Sequence, residues 1–174
     1  MSHKQVVWYL VGLSLCLGSL AAQAQQAPDS TANPLGQMHI PYGLSVSIGD
    51  AKKVAAAASA EAQKQKFTVA IAVTDVAGDL VYFEKMDGTE AAAVDMAMAK
   101  AKSAVRFRRP TKAFQDTLAT GGTNLRILGM VGAVPVGGGI PLVKDGKMIG
   151  AVGISGGSTA DDEQVASAAV AALK

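Results

Sequence analysis

The densest group of polar side chains in the sequence lies between residues 106 and 112, around a proline that must end any preceding helix. Its members are Arg106, Arg108, Arg109, Thr111 and Lys112. Guanidinium groups pair with carboxylates, and the amides after Thr111 would open a helix N-terminus suited to an anion. These residues therefore predict a site for a ligand carboxylate. An equally compatible interpretation is that the cations complement a helix dipole or pair with acids across an oligomer interface.

Two glycine-rich stretches form the second candidate group. Residues 137–139 and 155–158 permit close backbone approach, and Gly138, Gly139, Ser155 and Gly156 could present amides to a ligand. Neither stretch has the Lys-Ser/Thr pair of a phosphate loop or the glycine spacing of a dinucleotide site. Turns are therefore the favoured explanation of both stretches.

Candidate metal ligands are few. His39 and Tyr42 are the candidates, since histidine and tyrosinate both ligate ferric iron. His39 lies in a proline-flanked stretch, so the favoured alternative is that it is an exposed residue of a flexible segment. Met38, Met130 and Met148 are substitutes, although a methionine in an apolar strand, such as Met148, more commonly fills the core.

Acidic residues occur in two short groups. Asp75 and Asp79 flank a turn, which they are expected to stabilise rather than line a pocket. Residues 161–163 are all acidic and begin a helix, where capping is favoured over cation binding. The sequence has no Ser-His-Asp, Cys-His or His-Glu-x-x-His arrangement. Because the domain also lacks histidine, the usual general base near pH 7 is missing, which argues against a hydrolase.

The first 24 residues have the pattern of an export signal. A short basic start is followed by the apolar run Val6–Leu20 and by Ala22-Gln23-Ala24, a small-x-small cleavage site. The run is shorter than the roughly 20 residues of a spanning helix, so cleavage is favoured over membrane anchoring. We expect a periplasmic or secreted protein with a signal peptide at 1–24 and a flexible leader at 25–42.

The composition is consistent with one domain, over residues 43–174. Hydrophobic residues make up 49% of the chain and charged residues 17%, which suffices for one core. Cleavage would leave 15 of the 16 basic residues, all 14 acidic ones and no cysteine. The small net charge argues against nucleic acid as the main partner, and the absence of thiols excludes disulfides and thiolate metal sites.

Hydrophobic periodicity predicts an α+β domain, an antiparallel sheet flanked by helices in the order α-β-β-α-α-β-β-α. On the second helix, Val94, Met98, Ala101 and Val105 are expected to share the buried face. The elements are a helix from Ser47 to about Gln65, a hairpin over 67–86, helices over 90–107 and 111–118, an irregular connection over 121–139, a hairpin of 140–143 and 147–155, and a final helix.

Three groups of motifs, read together, resemble the HbpS/GlcG family, which is also found as the C-terminal domain of PduO-type proteins. The resemblance covers roughly residues 43–174. The motifs are Val73-Thr74-Asp75-Val76-Ala77-Gly78; Asp95 to Lys100-Ala101 with Phe107-Arg108-Arg109-Pro110-Thr111-Lys112; and Gly137-Gly138-Gly139-Ile140-Pro141-Leu142 with Gly150 to Gly157 and Asp162.

The resemblance implies a profilin-like fold, a homo-oligomer such as an octamer, and haem as the ligand, with slow haem degradation or iron binding in some members. We therefore expect an exported, non-catalytic protein that binds haem or another tetrapyrrole. Two alternatives stay open. One is a binding protein or enzyme for a small carboxylate metabolite, clamped by Arg109 and Lys112, and the other is a purely structural oligomer.

Overall fold

Four antiparallel strands form the centre of the fold. In the computed structural model, which describes residues 40–173, β1 is Ala70–Thr74, β2 is Leu80–Lys85, β3 is Gly139–Lys144 and β4 is Lys147–Ser155. Their order across the sheet is β2-β1-β4-β3, and each neighbouring pair is antiparallel. The two hairpins therefore meet where β1 pairs with β4, and the predicted antiparallel sheet is confirmed.

Helices cover both faces of this sheet. The helices α1 (Ile48–Gln65) and α4 (Thr159–Ala171) lie on one face, and α2 (Ala92–Phe107), which leads into α3 (Thr111–Ala119), lies on the other. Alternate residues of β1 serve the two layers. Val69, Ile71 and Val73 join the core under α1 and α4, whereas Ala70 and Ala72 pack against alanines of α2. The predicted α+β class is confirmed.

The helix α2 buries two of the four residues predicted for its packed face, Ala101 and Val105. Its buried residues are Ala93, Ala97, Lys100, Ala101, Ser103, Ala104 and Val105, while Val94 and Met98 are only half-buried. The reason is the closeness of the strand beneath, since a Cβ atom at Gly153 would lie 2.0 Å from the carbonyl oxygen of Ala97. Only small side chains fit between the helix and β4, so the larger hydrophobic residues lie at the edge of the contact.

The helix ends follow the cap signals of the sequence. The hydroxyl of Ser47 accepts a hydrogen bond from the amide of Asp50 at 3.0 Å, and α1 starts there as predicted. At the start of α4, Ser158 and Asp161 form a reciprocal capping box, which confirms the expected capping role for Asp161 among the three acidic residues. The helix α2 ends at Arg108, whose φ of 52° is left-handed.

Two element predictions need correction. The first strand starts at Ala70 rather than at Phe67. Within the connection expected to be irregular, residues Gly122–Gly129 form a 3-10 helix. This helix is held by burial of Ile127 against Phe114 of α3, a contact between distant positions that local periodicity does not reveal.

The domain begins earlier than the predicted boundary at residue 43. Ile40 packs against Ala104, Val105 and Met148, and Tyr42 forms a parallel bridge with Met148. The rest of the predicted leader, including Met38 and His39, and the predicted signal peptide lie outside the described residues. Among residues 40–173, no helix combines the length and the hydropathy needed to cross a bilayer.

Candidate functional site

The basic turn, residues 106–112, connects α2 to α3 on the surface of the domain. Arg106 is exposed and lies between two glycine turns, because a Cβ atom at Gly78 would be 3.8 Å from its Nε and one at Gly132 would be 3.9 Å from its Nη1. Within residues 40–173 neither Arg106 nor Arg108 forms an ion pair. Their charges are therefore available to an anion.

Arg108 and Arg109 contact aromatic rings. The guanidinium carbon of Arg108 lies 5.5 Å from the ring centre of Tyr42, and that of Arg109 lies 5.5 Å from the ring centre of Phe114. Arg109 Nε also donates to the carbonyl of Phe107 at 3.1 Å. Partial burial and then the charge of Arg108 lower the pKa of Arg109. The ring contacts thus hold the backbone of the turn in place.

An apolar segment, residues 125–131, lies next to the basic turn. Leu125, Leu128 and Val131 are 53%, 69% and 97% exposed. The chain after this segment is tied to α2, since the amide of Val134 donates to Ser103 Oγ at 3.0 Å. Gly132 then places the end of the segment beside Arg106. The result is an exposed apolar surface with guanidinium groups at its border.

Lys112 faces a different groove from the arginines. Its Nζ lies 2.7 Å from the carboxylate of Asp116, one turn later on α3. Together with Gln115 and residues of α4 such as Thr159 and Glu163, it lines an open groove of about 520 Å³. Arg109, its predicted partner in a clamp on a small acid, is not among the residues that line this groove.

The three successive glycines 137–139 donate to side chains of the protein itself. Their amides bond to Gln115 Oε1 at 2.9 Å, to Glu163 Oε2 at 2.7 Å and to Thr111 Oγ1 at 2.9 Å, in chain order. Thr111 and all three glycines are buried. In this structure Thr111, Gly138 and Gly139 therefore join α3 and α4 to the start of β3, which is the packing explanation rather than the ligand-binding one.

A buried ion pair, which the sequence analysis missed, lies beneath these glycines. Lys100 Nζ contacts Asp162 Oδ2 at 2.6 Å and the carbonyl of Ile154 at 2.9 Å, with the lysine side chain 1% exposed and the aspartate side chain 4%. The amide of Gly157 donates to the other carboxylate oxygen at 3.0 Å. Burial raises the pKa of Asp162, an effect that its bonds to Lys100 oppose. A lysine among alanines on one face of α2 was the signal that could have revealed the pair.

Ser155 and Gly156 lie at the end of β4, far from Arg106. Ser155 is buried and pairs with Ala70, and a Cβ atom at Gly156 would lie 2.3 Å from the carbonyl oxygen of Thr68. Arg106, which follows Val105, is instead near the start of β4, where Met148 packs with Val105. Seven residues of strand, roughly 23 Å, separate the two places. Thr111, at the other end of the basic turn, lies beside Gly139, which pairs with Gly153 of β4. The predicted residues are therefore divided between two places, with Arg106 in one and Thr111 beside the glycine stretches in the other.

The iron-ligand candidates within the described residues are occupied or enclosed. The hydroxyl of Tyr42 donates to the carbonyl of Val105 at 3.0 Å, Met148 is fully buried, and Met130 is half-buried. Between Ile40 and Leu173, no three His, Cys, Asp or Glu side chains come together as a metal site. Asp75 accepts bonds from the amides of Ala77 and Asp79, so its predicted turn role is confirmed.

Comparison with known proteins assigns this fold to a family. Residues 46–171 match the family described as "Haem degrading protein HbpS-like". The chain belongs to the HbpS-like family. The resemblance inferred from the sequence motifs is thereby confirmed.

Three HbpS-like relatives illustrate the match. An uncharacterized 15.0 kDa protein of Citrobacter freundii is 31% identical over 128 residues, 72% of this chain and 90% of that protein. GlcG of Escherichia coli K12 is 39% identical over 105 residues, 60% of this chain and 77% of GlcG. The crystal structure of a PduOC:haem complex is 29% identical and superposes with a TM-score of 0.69, covering 75% of this chain and 96% of the other.

The family's glycine and charged motifs have two kinds of role in this HbpS-like chain. Gly138, Gly139, Thr111, Lys100 and Asp162 are buried and bonded to one another or to neighbouring backbone. Arg106 of the basic turn is exposed and lies beside the end of the apolar segment, while Arg108 and Arg109 are half-buried. Only the second group is placed where an incoming ligand can contact it.

Proposed function

We propose that the chain binds haem on the surface formed by the basic turn and the apolar segment. The observation that carries the proposal is the position of Arg106 next to Gly132, which sets a cation at the border of an exposed apolar surface. Haem has the matching chemistry, an apolar macrocycle with two carboxylates at one edge. Membership of the HbpS-like family and similarity to the PduOC:haem complex support the choice of ligand.

Each part of the surface has a role in this proposal. Arg106 and Arg108 bind the propionates through charge-assisted hydrogen bonds, and Arg126 adds a third cation in the apolar segment. Leu128 and Val131 contact the macrocycle, which removes their exposed apolar area from water. The iron of bound haem supplies a redox-active centre. Binding rather than hydrolysis is proposed, because residues 40–173 contain no histidine to act as a general base.

His39 is our first candidate for the iron ligand. It precedes Ile40, which packs against Val105 at the C-terminal end of α2, close to the basic turn. Tyr42 is the second candidate, but it would have to give up its hydrogen bond to Val105. Comparison of the His39→Ala and Tyr42→Phe variants separates the two.

A haem titration followed in the Soret region tests the proposal. The chain is expressed at full length, purified, and compared with Arg106→Ala and with Lys52→Ala, a matched control in which an exposed cation of α1 is removed. Loss of one charge-assisted bond is expected to weaken haem binding about tenfold in Arg106→Ala and to leave the control unchanged. A Soret change that does not saturate, or equal affinity in both variants, would refute the site.

Export and assembly complete the proposal. The pattern of residues 1–24 supports export with cleavage after Ala24. Exposed hydrophobic residues outside the haem surface, Ile48, Leu80 and Met96, support assembly into a homo-oligomer. Mass spectrometry of protein purified from the periplasm gives the cleavage point. Light scattering of the same sample with and without haem gives the number of subunits. An uncleaved or monomeric protein would contradict the corresponding part.

A further inference from the structure

The cavity between the start of the domain and the β3–β4 turn shares only Tyr42 with the residues considered for haem. It measures about 620 Å³, within the range of small-molecule pockets. Its walls are residues 42–47, which precede α1, and residues 144–147, which connect β3 to β4. Arg106 and the apolar segment are not part of it.

Hydrogen bonds on both sides of the cavity form it in advance of any ligand. The amide of Gly43 donates to the carbonyl of Met148 at 2.7 Å, and the amide of Val46 donates to that of Ile149 at 2.7 Å. Gly43 is required for this close approach, because a Cβ atom there would lie 2.9 Å from Lys147 Cβ. The residues between these bonds, Leu44 and Ser45, bulge outward.

The floor of the cavity is apolar. Val46 and Ile149 line it and are 6% and 8% exposed, so their side chains are fixed by the core. The ring of Tyr42 forms a wall, and Leu44, 89% exposed, lies at the mouth. An apolar group of moderate size would bury part of this surface.

Of the four charged residues at the rim, two form ion pairs with neighbouring residues and two do not. Asp50 contacts Lys144 at 3.2 Å and Lys53 at 3.8 Å. Lys147 and Asp145 form no ion pair within residues 40–173 and belong to the same turn. The amides of Leu44 and Ser45 likewise have no acceptor among the described residues. The rim therefore offers one cation with two amide donors, and one carboxylate.

We propose that this cavity binds a free α-amino acid with an apolar side chain. The ligand carboxylate bonds to Lys147 and to the amides of Leu44 and Ser45, its ammonium group pairs with Asp145, and its side chain contacts Val46 and Ile149. A purely anionic ligand would leave Asp145 unpaired and facing like charge. A zwitterion satisfies both Lys147 and Asp145.

Three probes that differ by one charged group test the proposal by isothermal titration of the full chain. L-phenylalanine carries both groups, 3-phenylpropanoate lacks the ammonium group, and 2-phenylethylamine lacks the carboxylate. L-phenylalanine is expected to bind about tenfold more tightly than either of the others. No saturable binding of L-phenylalanine, or equal binding of all three probes, would overturn the proposal.

Matched variants assign each charge to its residue. Lys147→Gln is expected to weaken the binding of phenylalanine about tenfold and to leave the binding of phenylethylamine unchanged. Asp145→Asn is expected to weaken the binding of phenylalanine and to leave the binding of phenylpropanoate unchanged. Asparagine tolerates the left-handed φ of 51° at position 145, so the turn is kept. Lys147→Arg should restore binding, and Lys52→Gln serves as the exposed control. If Lys147→Gln and Asp145→Asn both bind like the control, the assignment is wrong.

The Arg106→Ala variant separates this inference from the haem proposal. Arg106 is not among the cavity residues, so its loss is expected to leave phenylalanine affinity unchanged while haem affinity falls. A parallel fall in both affinities would mean that the cavity is part of the haem site, and the separate amino-acid site would be abandoned.

Discussion

Lys100 Nζ and Asp162 Oδ2 lie 2.6 Å apart and connect helices on opposite faces of the sheet. The ion pair passes the edge of the sheet just before the first residue of β3, Gly139. Gly138, just before that strand, leaves the room, because a Cβ atom there would lie 2.8 Å from Asp162 Cβ and 3.1 Å from Lys100 Nζ. The buried ion pair and the family's glycine motif are therefore one structural unit.

Breaking this ion pair is expected to destabilise the domain strongly. In Lys100→Met the carboxylate of Asp162 stays buried without its cation, which costs about 3–5 kcal/mol of unfolding free energy. The exposed pair of Lys112 and Asp116 provides the control, and Lys112→Met should cost less than about 1 kcal/mol. Urea denaturation followed by circular dichroism measures both. Similar losses of unfolding free energy in the two variants would show that the buried pair stabilises the domain no more than the exposed pair does.

Gly153 is predicted to tolerate no side chain. In Gly153→Ala the new methyl group would meet the carbonyl oxygen of Ala97 at 2.0 Å and the amide nitrogen of Ala101 at 2.6 Å. The helix α2 must then move off β4, at a cost of about 3 kcal/mol or more. Gly129→Ala is the matched control, since no atom lies within 4 Å of a Cβ there. Equal melting temperatures for the two variants would contradict the close packing of α2.

The same packing shows which parts of the fold the sequence could predict. Caps and turns depend on neighbouring residues, so the start of α1 at Ser47, the acidic start of α4 and the Asp75 turn were recognisable from local pattern alone. The buried face of α2 was not, because its small residues are selected by the glycine of a distant strand. The 3-10 helix was missed for a similar reason, since Ile127 is held by Phe114 of another helix.

The candidate site divides in the same way. Charge density alone identified the basic turn, because several cations in seven residues are visible without a fold. The apolar segment could not be joined to it by pattern, since the contact depends on how residues 132–134 return to α2. The cavity at Lys147 is equally invisible in the sequence, where its two walls are about a hundred residues apart.

Glu61 is expected to make stability depend on pH at the acid end. Hydrogen bonds first from Gln65 and then from Gln164 hold the pKa of Glu61 below its usual value of 4.5. Between the folded and unfolded pKa values the unfolded state binds more protons, so this stabilisation is present above about 4.5 and is lost as the pH falls through the folded pKa.

The variant Glu61→Gln tests this dependence. The difference in melting temperature between the native chain and the variant should be larger at neutral pH than well below the folded pKa, where the carboxyl is protonated. Glu90→Gln, which changes an exposed acid just before α2, is measured in parallel as the control. A constant difference for Glu61→Gln would mean that the bond to Gln164 does not couple α1 to α4.

Val131 offers a test of the haem surface that is independent of its arginines. The side chain is 97% exposed, so Val131→Asp should change the stability of the haem-free chain by less than about 0.5 kcal/mol. The new carboxylate adds a charge where the macrocycle would lie and competes with the propionates for Arg106. We therefore expect haem affinity to fall about tenfold. Leu44→Asp is the matched control, because Leu44 is 89% exposed but lies at the cavity proposed for the amino acid. If both variants bind haem as the native chain does, the macrocycle does not lie on the apolar segment.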